Sequence, residues 1–263
     1  MRLSGGCVGD VYRVDLGDGE RLVAKVDSAA GGQLDLEGKM LEALAPHLPV
    51  PRVIFAAPEL LLMEFVEGSS SFTSGAETHA AELVAAMHEV TADAYGFDCD
   101  TLIGGLPQSN VWAGSWLAFF AEHRLMAMAR QCQDKGRIDG SMVRRVDRLS
   151  GKLEEHLAEP VRPSLLHGDL WAGNVLAVDD RITGFIDPAV SYGHPEIELA
   201  FATLFSSFGR PFFDRYEELR PIPAGFHEER RHLYNLYPLL VHVCLFGGSY
   251  LGAVDKSLRR FGC

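Results

Sequence analysis

The sequence contains the stretch HGDLWAGN at residues 167–174, and the stretch IDP follows it at residues 186–188. Asp169 and Asn174 are five residues apart in the first stretch, and Asp187 lies in the second. Between them, two short β-prone runs flank residues 179–181 (DDR), a pattern that predicts a β-hairpin. The outer ends of this hairpin should bring Asp187 next to the loop that holds Asp169 and Asn174.

Phosphoryl transfer uses residues of these types. It needs a carboxylate beside the attacking hydroxyl and oxygen ligands for Mg²⁺, and in protein kinases an Asp, an Asn five residues later and a second Asp supply them. Any one of the three residues could simply cap a helix, form a turn or end a strand, but the joint spacing favours function. We expect His167 to support the loop by hydrogen bonding rather than to act as a base. Gly168 and Pro188 depart from the protein-kinase pattern and are typical of small-molecule kinases, which include aminoglycoside and choline kinases.

A glycine-rich turn lies near the start of the chain, between two β-prone runs. Glycine lets backbone N–H groups approach phosphates closely, although it also occurs in ordinary hairpins. We therefore predict that the ATP phosphates contact Gly5, Gly6, Cys7, Val8 and Gly9.

Lys25 lies in the next strand, within the sequence LVAKV at residues 22–26. This is a variant of the kinase pattern that places a lysine on the ATP phosphates. A lysine among apolar residues is costly to bury unless its charge is paired. Glu37 in the following helix is the predicted partner and Glu42 is the alternative, while an exposed lysine on an edge strand is the other interpretation.

The stretch LLLMEFVEG at residues 60–68 matches the strand and connector that join the two lobes of a kinase. In that interpretation, backbone groups of Glu64, Phe65 and Val66 would bind the adenine of ATP. A buried strand followed by a turn is the alternative.

Composition limits the remaining possibilities. A hydrophobic fraction of 47% and a charged fraction of 23% are typical of a folded protein, and 263 residues suit one large domain or two lobes around a cleft. No run of about 18 uncharged apolar residues and no signal peptide is present, so we expect a cytoplasmic protein that does not bind membranes. A net charge of −12 argues against nucleic-acid binding. Five scattered cysteines suggest neither disulfides nor a zinc site.

Together these patterns predict an α+β, protein-kinase-like fold with two lobes. Residues 1–66 would form a small β-rich N-lobe with the ATP-binding sheet, and residues 67–263 a helical C-lobe with the catalytic loop and substrate pocket. The predicted strands are residues 11–14, 21–26, 60–66, 175–178 and 182–186. The predicted helices are residues 33–44, 74–91 opened by a capping box of Ser74 and Glu77, 116–133, 140–157, 195–208 and 228–250, with Pro238 ending or kinking the last one.

Beyond the shared kinase pattern, the chain resembles the fructosamine-3-kinase family, also called ketosamine-3-kinases, from Gly5 almost to its end. The stretches that support this resemblance are HGDLWAGN (167–174); DPAVSYGH (187–194) with Glu196 and Glu198; NVW (110–112) with Trp116, Phe119 and Phe120; and FFDRY (212–216) with Pro223. The resemblance implies ATP- and Mg²⁺-dependent phosphorylation of the 3-hydroxyl of a ketosamine, the adduct of a sugar with an amine. The phosphorylated product is unstable and releases the amine, so the implied role is deglycation repair.

The resemblance also implies roles for individual residues. Asp169 would be the catalytic base, Asn174 and Asp187 would hold magnesium, and Lys25 would pair with Glu37 and contact the phosphates.

Three residues are candidates for substrate binding. Trp171 would stack on the sugar, or else pack in the lower lobe, while Trp112 and His194 are the further candidates. For His194 and the glutamates after it, stabilisation of a helix start is at least as good an interpretation.

Some questions stay open at this stage. The substrate could instead be an aminoglycoside, an amino alcohol or another sugar, and an inactive nucleotide-binding module is a less favoured alternative. The ketosamine amine could be free or on a protein, and the chain could be a monomer or a homodimer. Members of this family carry about one strand and part of a helix before the glycine-rich turn, whereas only residues 1–3 (MRL) precede it here, so either the first strand is shortened or the start was placed too late. Cys7, among backbone amides meant for phosphate, is a candidate redox-sensitive thiol.

Overall fold

The computed structural model describes residues 1–3, 9–27, 32–160 and 162–263. Its N-terminal part is an antiparallel sheet with the strand order β1-β2-β4-β3. The strands are β1 (Asp10–Asp15), β2 (Arg21–Val26), β3 (Val53–Ala57) and β4 (Leu60–Glu64). Residues 1–3 run alongside β1, since Leu3 N–H donates to Val11 O at 2.8 Å and Arg13 N–H donates to Met1 O at 2.8 Å. This short pairing extends the sheet beyond β1.

Helix α1 (Leu34–Leu44) packs on this sheet and joins it to the rest of the molecule. Leu34 and Leu41 belong to the small apolar cluster of the sheet, whereas Met40 and Leu44 belong to the much larger cluster of the helical part. Because α1 contributes to both cores, its position relative to the cleft between them is fixed by packing on two sides.

The remainder of the chain is mainly helical, as predicted. Its helices are α2 (Ser74–Met87), α3 (Trp116–Phe119), a π-helical stretch (Phe120–Met126), α4 (Ala127–Asp134), α5 (Gly140–Ser150), α6 (Pro195–Ala202), α7 (Arg210–Leu219), α8 (Arg231–Tyr234), α9 (Leu236–Phe246) and α10 (Leu251–Arg260). Its strand pairs are β5 (Thr101–Ile103) with β6 (Leu106–Gln108), β7 (Ser164–Leu166) with β10 (Ser191–Gly193), and β8 (Val175–Val178) with β9 (Arg181–Phe185). The predicted α+β, kinase-like fold is confirmed. In the described ranges, no helix is both long and apolar enough to cross a bilayer.

The start of α2 differs from the prediction. Thr73, not Ser74, caps the helix, and its hydroxyl accepts a hydrogen bond from Ala76 N–H at 3.0 Å. Glu77 therefore lies one residue too far along to complete a capping box. Its carboxylate instead accepts a hydrogen bond from Gly209 N–H at 2.9 Å, at the N-terminus of α7.

The predicted helix over residues 228–250 is divided. A π-helical turn (Phe226–Arg230) and α8 precede a break at Asn235, and α9 begins one residue later. Pro238 therefore sits in the first turn of α9, where the missing N–H costs no helical hydrogen bond. The strand β3, the β5–β6 hairpin and helices α7 and α10 were not predicted.

Candidate active site

The cleft between the sheet and the helical part has a volume of about 560 Å³. The acidic and basic side chains on its wall come from the three motifs that the sequence analysis singled out. They are Lys25, Glu37, Glu64, Asp169 and Asp187, and Asn174 lies among them. Residues separated by up to 162 positions in the chain thus share one cavity.

Lys25 is buried on β2 and is paired with two carboxylates. Its Nζ lies 2.6 Å from Glu37 Oε1 and also contacts Asp187 Oδ1. Glu42, the alternative partner, is exposed on the opposite side of α1. Burial alone would lower the pKa of Lys25, but the charges of Asp187 and Glu37 outweigh it and hold that pKa above its ordinary value. The lysine is therefore a fixed cation at the wall of the cleft.

The backbone of the HGDLWAGN loop requires glycine at position 168. Gly168 has a φ of +84°, and a Cβ there would lie 2.0 Å from Ala189 O. The chain after Asp187 passes this closely because Ala189 N–H donates to His167 O at 2.7 Å. A larger residue at 168, such as the arginine of protein kinases, would push these two segments apart.

His167 supports the loop as predicted. Its Nδ1 accepts a hydrogen bond from Asp169 N–H at 3.3 Å, and its Nε2–H donates to Ile186 O at 3.1 Å. These two bonds assign the tautomer, and burial lowers the pKa of the ring so that it stays neutral. His167 thus connects the loop to the strand that leads to Asp187, with no nitrogen left to act as a base.

Asp169 lies at the floor of the cleft. Asn174 Nδ2 donates to Asp169 Oδ2 at 2.8 Å and to Asp169 O at 3.0 Å, so the asparagine both shapes the loop and orients the carboxylate. Burial raises the pKa of Asp169 to about 8, the Asn174 hydrogen bond opposes this rise, and the charges of Asp187 and Glu198 add to it. A carboxyl group with a pKa near neutrality can both accept and release a proton at physiological pH.

Sequence reasoning missed a buried chain of side chains behind this loop. Gly168 N–H donates to Glu198 Oε1 at 2.6 Å, His88 Nε2–H donates to Glu198 Oε2 at 2.8 Å, and Tyr216 O–H donates to His88 Nδ1 at 2.7 Å. Glu198 belongs to α6, His88 follows α2, and Tyr216 belongs to α7, so these three helices hold one end of the HGDLWAGN loop. The signal in the sequence was Glu198 directly before the apolar run LAFA (199–202), because a carboxylate that is buried among apolar residues needs a partner.

The connector after β4 has two backbone groups available to a ligand. Glu64 N–H donates to Arg52 O at 2.9 Å and Phe65 N–H donates to Arg21 O at 3.1 Å. Within the described part of the chain, neither the carbonyl of Glu64 nor the N–H of Val66 has a backbone or side-chain partner. One acceptor and one donor, two residues apart, are therefore unpaired in a segment whose residues Glu64, Phe65 and Val66 line the cleft.

The structure separates the candidates for substrate binding. Trp171 lines the cleft, and its indole lies directly against Gly173, where a Cβ would come within 2.3 Å of the ring. Trp112 does not line the cleft; it is 44% exposed and packs beside Tyr192 with the ring centroids 6.1 Å apart.

His194 caps α6, where its Nδ1 accepts a hydrogen bond from Glu196 N–H at 3.1 Å. It lies against Trp116 and Tyr234 rather than in the cleft, and burial lowers its pKa to about 3. The helix-start interpretation therefore describes this residue.

Most of the glycine-rich turn, Gly5, Gly6, Cys7 and Val8, lies outside the described residues. Gly9 is described, with a φ of +68° and no room for a Cβ, which would lie 2.5 Å from Val26 O.

Comparison with known proteins identifies the family. The profile of the fructosamine kinase family matches residues 1–261. The chain belongs to the fructosamine kinase family. A protein of Synechocystis named probable ketoamine kinase is 34% identical, with 98% of this chain and 88% of that protein covered. The chloroplastic protein-ribulosamine 3-kinase of indica rice is 31% identical, with 98% and 78% covered.

Solved structures agree with this assignment. The crystal structure of a protein assigned as a fructosamine-3-kinase in Thermobifida fusca superposes with a TM-score of 0.87 at 34% identity, covering 98% of this chain and 91% of that one. An aminoglycoside phosphotransferase in complex with AMP-PNP and hygromycin B has a TM-score of 0.68 at 19% identity, covering 98% and 92%, and so shares the fold. This fructosamine kinase family member is therefore a phosphotransferase that uses ATP to phosphorylate a hydroxyl group.

Proposed function

We propose that this kinase transfers the γ-phosphoryl group of ATP to the 3-hydroxyl of a ketosamine, a step that leads to release of the amine. The observation that supports it most directly is the meeting of Asp169, Asn174, Asp187 and the Lys25–Glu37 pair in one cleft. The names of the relatives support the substrate class.

ATP would enter with its adenine at the connector. The carbonyl of Glu64 can accept a hydrogen bond from the exocyclic amine, and the N–H of Val66 can donate to a ring nitrogen, with the ring passing Phe65. Lys25, held by Glu37, would contact the phosphates. The glycine-rich turn of Gly5, Gly6, Cys7, Val8 and Gly9 would cover them.

Magnesium fits the side chains at the inner end of the cleft. Asn174 uses its Nδ2 to donate to Asp169, which leaves Oδ1 as a ligand, and Asp187 offers a carboxylate that is only partly engaged by Lys25. Hard oxygen donors of this kind suit Mg²⁺. The site also has more carboxylates than basic groups, because Glu37 and Asp187 face one lysine, so it favours a cation. Asn174 and Asp187 would hold the metal ion there, and its positive charge would offset the negative charge of the phosphates.

Asp169 would act on the acceptor. Its carboxylate, oriented by Asn174, would accept the proton of the attacking hydroxyl as the new O–P bond forms. Because its pKa lies near 8, the fraction of Asp169 that is ionised at neutral pH is a stronger base than an ordinary carboxylate and can take up this proton. Trp171, two residues away, would offer an indole edge or face to the sugar.

The decisive experiment supplies Mg-ATP with ribulose-, erythrulose- and fructose-amine adducts and follows both ADP and released amine. We expect ADP formation with at least one adduct, followed by slower amine release that continues after the enzyme is removed. If the enzyme phosphorylates an aminoglycoside or an amino alcohol but no ketosamine, the proposed substrate class is wrong. The assignments of the fold and of the catalytic residues would not be affected.

A further inference from the structure

A group of aromatic side chains continues the cleft beyond Trp171. Phe205 meets Trp171 edge to face with the ring centroids 6.1 Å apart. His242 and Tyr250 lie 4.8 and 6.2 Å from Phe205, and Phe246 lies 5.6 Å from His242. We call these five residues the aromatic wall. Phe205 and Phe246 are 44% and 55% exposed, so the wall presents apolar surface to solvent beside the catalytic loop.

The backbone that holds Phe205 is strained. Phe205 and Ser206 both have left-handed conformations, with φ values of +57° and +55°, which non-glycine residues rarely adopt. Such conformations cost free energy and persist only where the surrounding structure imposes them. Here the strain turns a phenyl ring outward, toward Trp171, rather than into the core. An exposed ring held at a cost in stability indicates a binding role.

The chemistry of the wall defines its ligand. Nδ1–H of His242 donates to Pro238 O at 2.7 Å, and burial lowers the pKa of this ring, so it is neutral. The wall therefore consists of neutral aromatic rings. Such surfaces bind alkyl chains by burial and cations over the ring faces, whereas they offer nothing to an anion.

We propose that the aromatic wall binds the amine half of the substrate, a secondary ammonium with its attached alkyl chain, while Trp171 and Asp169 hold the sugar half. This inference rests on the proposed ketosamine kinase activity and extends it. The wall is continuous with the cleft through Trp171, so one molecule can occupy both. An alkylamine adduct, such as that of a lysine side chain, has the required cation, chain and length.

The test compares fructose adducts of methylamine and hexylamine, which differ only in chain length. In the wild-type enzyme we expect the hexylamine adduct to have a KM at least about tenfold lower, since each buried methylene is worth roughly a factor of four. The kcat values should be similar, because the chain is distant from the reacting hydroxyl. In Phe205→Gly and Phe246→Ala, the ratio of the KM values for the two adducts should fall to within about threefold.

Two controls separate binding from a general structural role. Phe55→Ala removes a ring that is similarly exposed, at 50%, on β3 and should leave the KM ratio unchanged. Phe205→Gly also removes the left-handed strain, so its urea midpoint should equal or exceed that of the wild type. A lowered midpoint would mean that the ring serves packing and would overturn the binding role of Phe205. An unchanged KM ratio in both wall variants, or no chain-length preference in the wild type, would overturn the inference alone. A lack of turnover on both adducts, and also on the ribulose and erythrulose adducts of the same amines, would overturn the proposed function and the inference with it.

Discussion

Replacing Asp169 with Asn should abolish most activity and also make the protein more stable at neutral pH. The carboxyl group has a pKa of about 8 in the folded protein and an ordinary value of 3.8. Between these values the folded state binds more protons than the unfolded state, so the stability of the wild type falls as the pH rises. The free energy of unfolding of the wild type should fall by about 1.4 kcal/mol per pH unit, which amounts to roughly 4 kcal/mol between pH 4 and pH 7. Above pH 8 this loss levels off. Asp169 keeps some solvent exposure, so this is an upper value.

Urea unfolding at pH 5, 6, 7 and 8, without nucleotide or metal, measures this effect. Asp169→Asn has the same shape and does not titrate, so the difference in free energy of unfolding between variant and wild type should grow with pH. Turnover should fall by about 10²–10⁴, the usual loss on removing a general base. A difference in free energy of unfolding that stays constant from pH 5 to pH 8 would refute the raised pKa of Asp169. Turnover within about threefold of the wild type, with unchanged nucleotide binding, would remove Asp169 from its catalytic role.

Further predictions concern the groups around this base. Asp187→Asn should lower the rate and raise the magnesium concentration needed for half-maximal activity, and an unchanged magnesium requirement would exclude a ligand role. Glu198→Gln removes a charge that raises the pKa of the base, so the rising limb of the pH–kcat/KM profile should move to lower pH together with a loss of kcat; a profile that does not move would show that the carboxylate acts only in folding. Glu37→Gln should raise the KM for ATP by about tenfold, since Lys25 loses a charged partner at 2.6 Å. Isothermal titration with nucleotide measures the affinity directly, and an unchanged Kd would contradict this prediction. Cys7→Ser should abolish reversible inactivation by mild oxidant, whereas an equally sensitive variant would assign the effect to another cysteine.

The cleft was predictable because its residues follow fixed spacings. Asp169, Asn174 and Asp187 flank a hairpin whose strands are strongly β-prone, and local structure alone brings them together. The partner of Lys25 could also be chosen from sequence, because Glu37 lies on the face of α1 that carries Leu34 and Leu41 toward the sheet. In both cases short-range periodicity contained the information.

Other features could not be predicted because they depend on contacts between distant segments. The chain from Gly168 through Glu198 and His88 to Tyr216 joins four elements, and no spacing relates them. For His194, the position in a family motif suggested substrate binding, and the alternative of a helix start matches the cap that its Nδ1 forms on α6. Strand β3 was missed because its pattern is not alternating, with residues 54–56 all exposed.

The places where local rules fail are concentrated around the cleft. Within the described ranges, the non-glycine residues with positive φ are Asp179, Asp187, Phe205 and Ser206, and only Asp179 is explained by an ordinary hairpin turn. Asp187 is in the magnesium candidate set, Phe205 belongs to the aromatic wall, and Ser206 follows Phe205 directly. Each costs stability of the order of 1–2 kcal/mol that a glycine would avoid. Conformations of this kind persist only where the surrounding contacts impose them, and here those contacts are the ion pair of Asp187 with Lys25 and the packing of Phe205 against Trp171 and His242, both along the proposed substrate path.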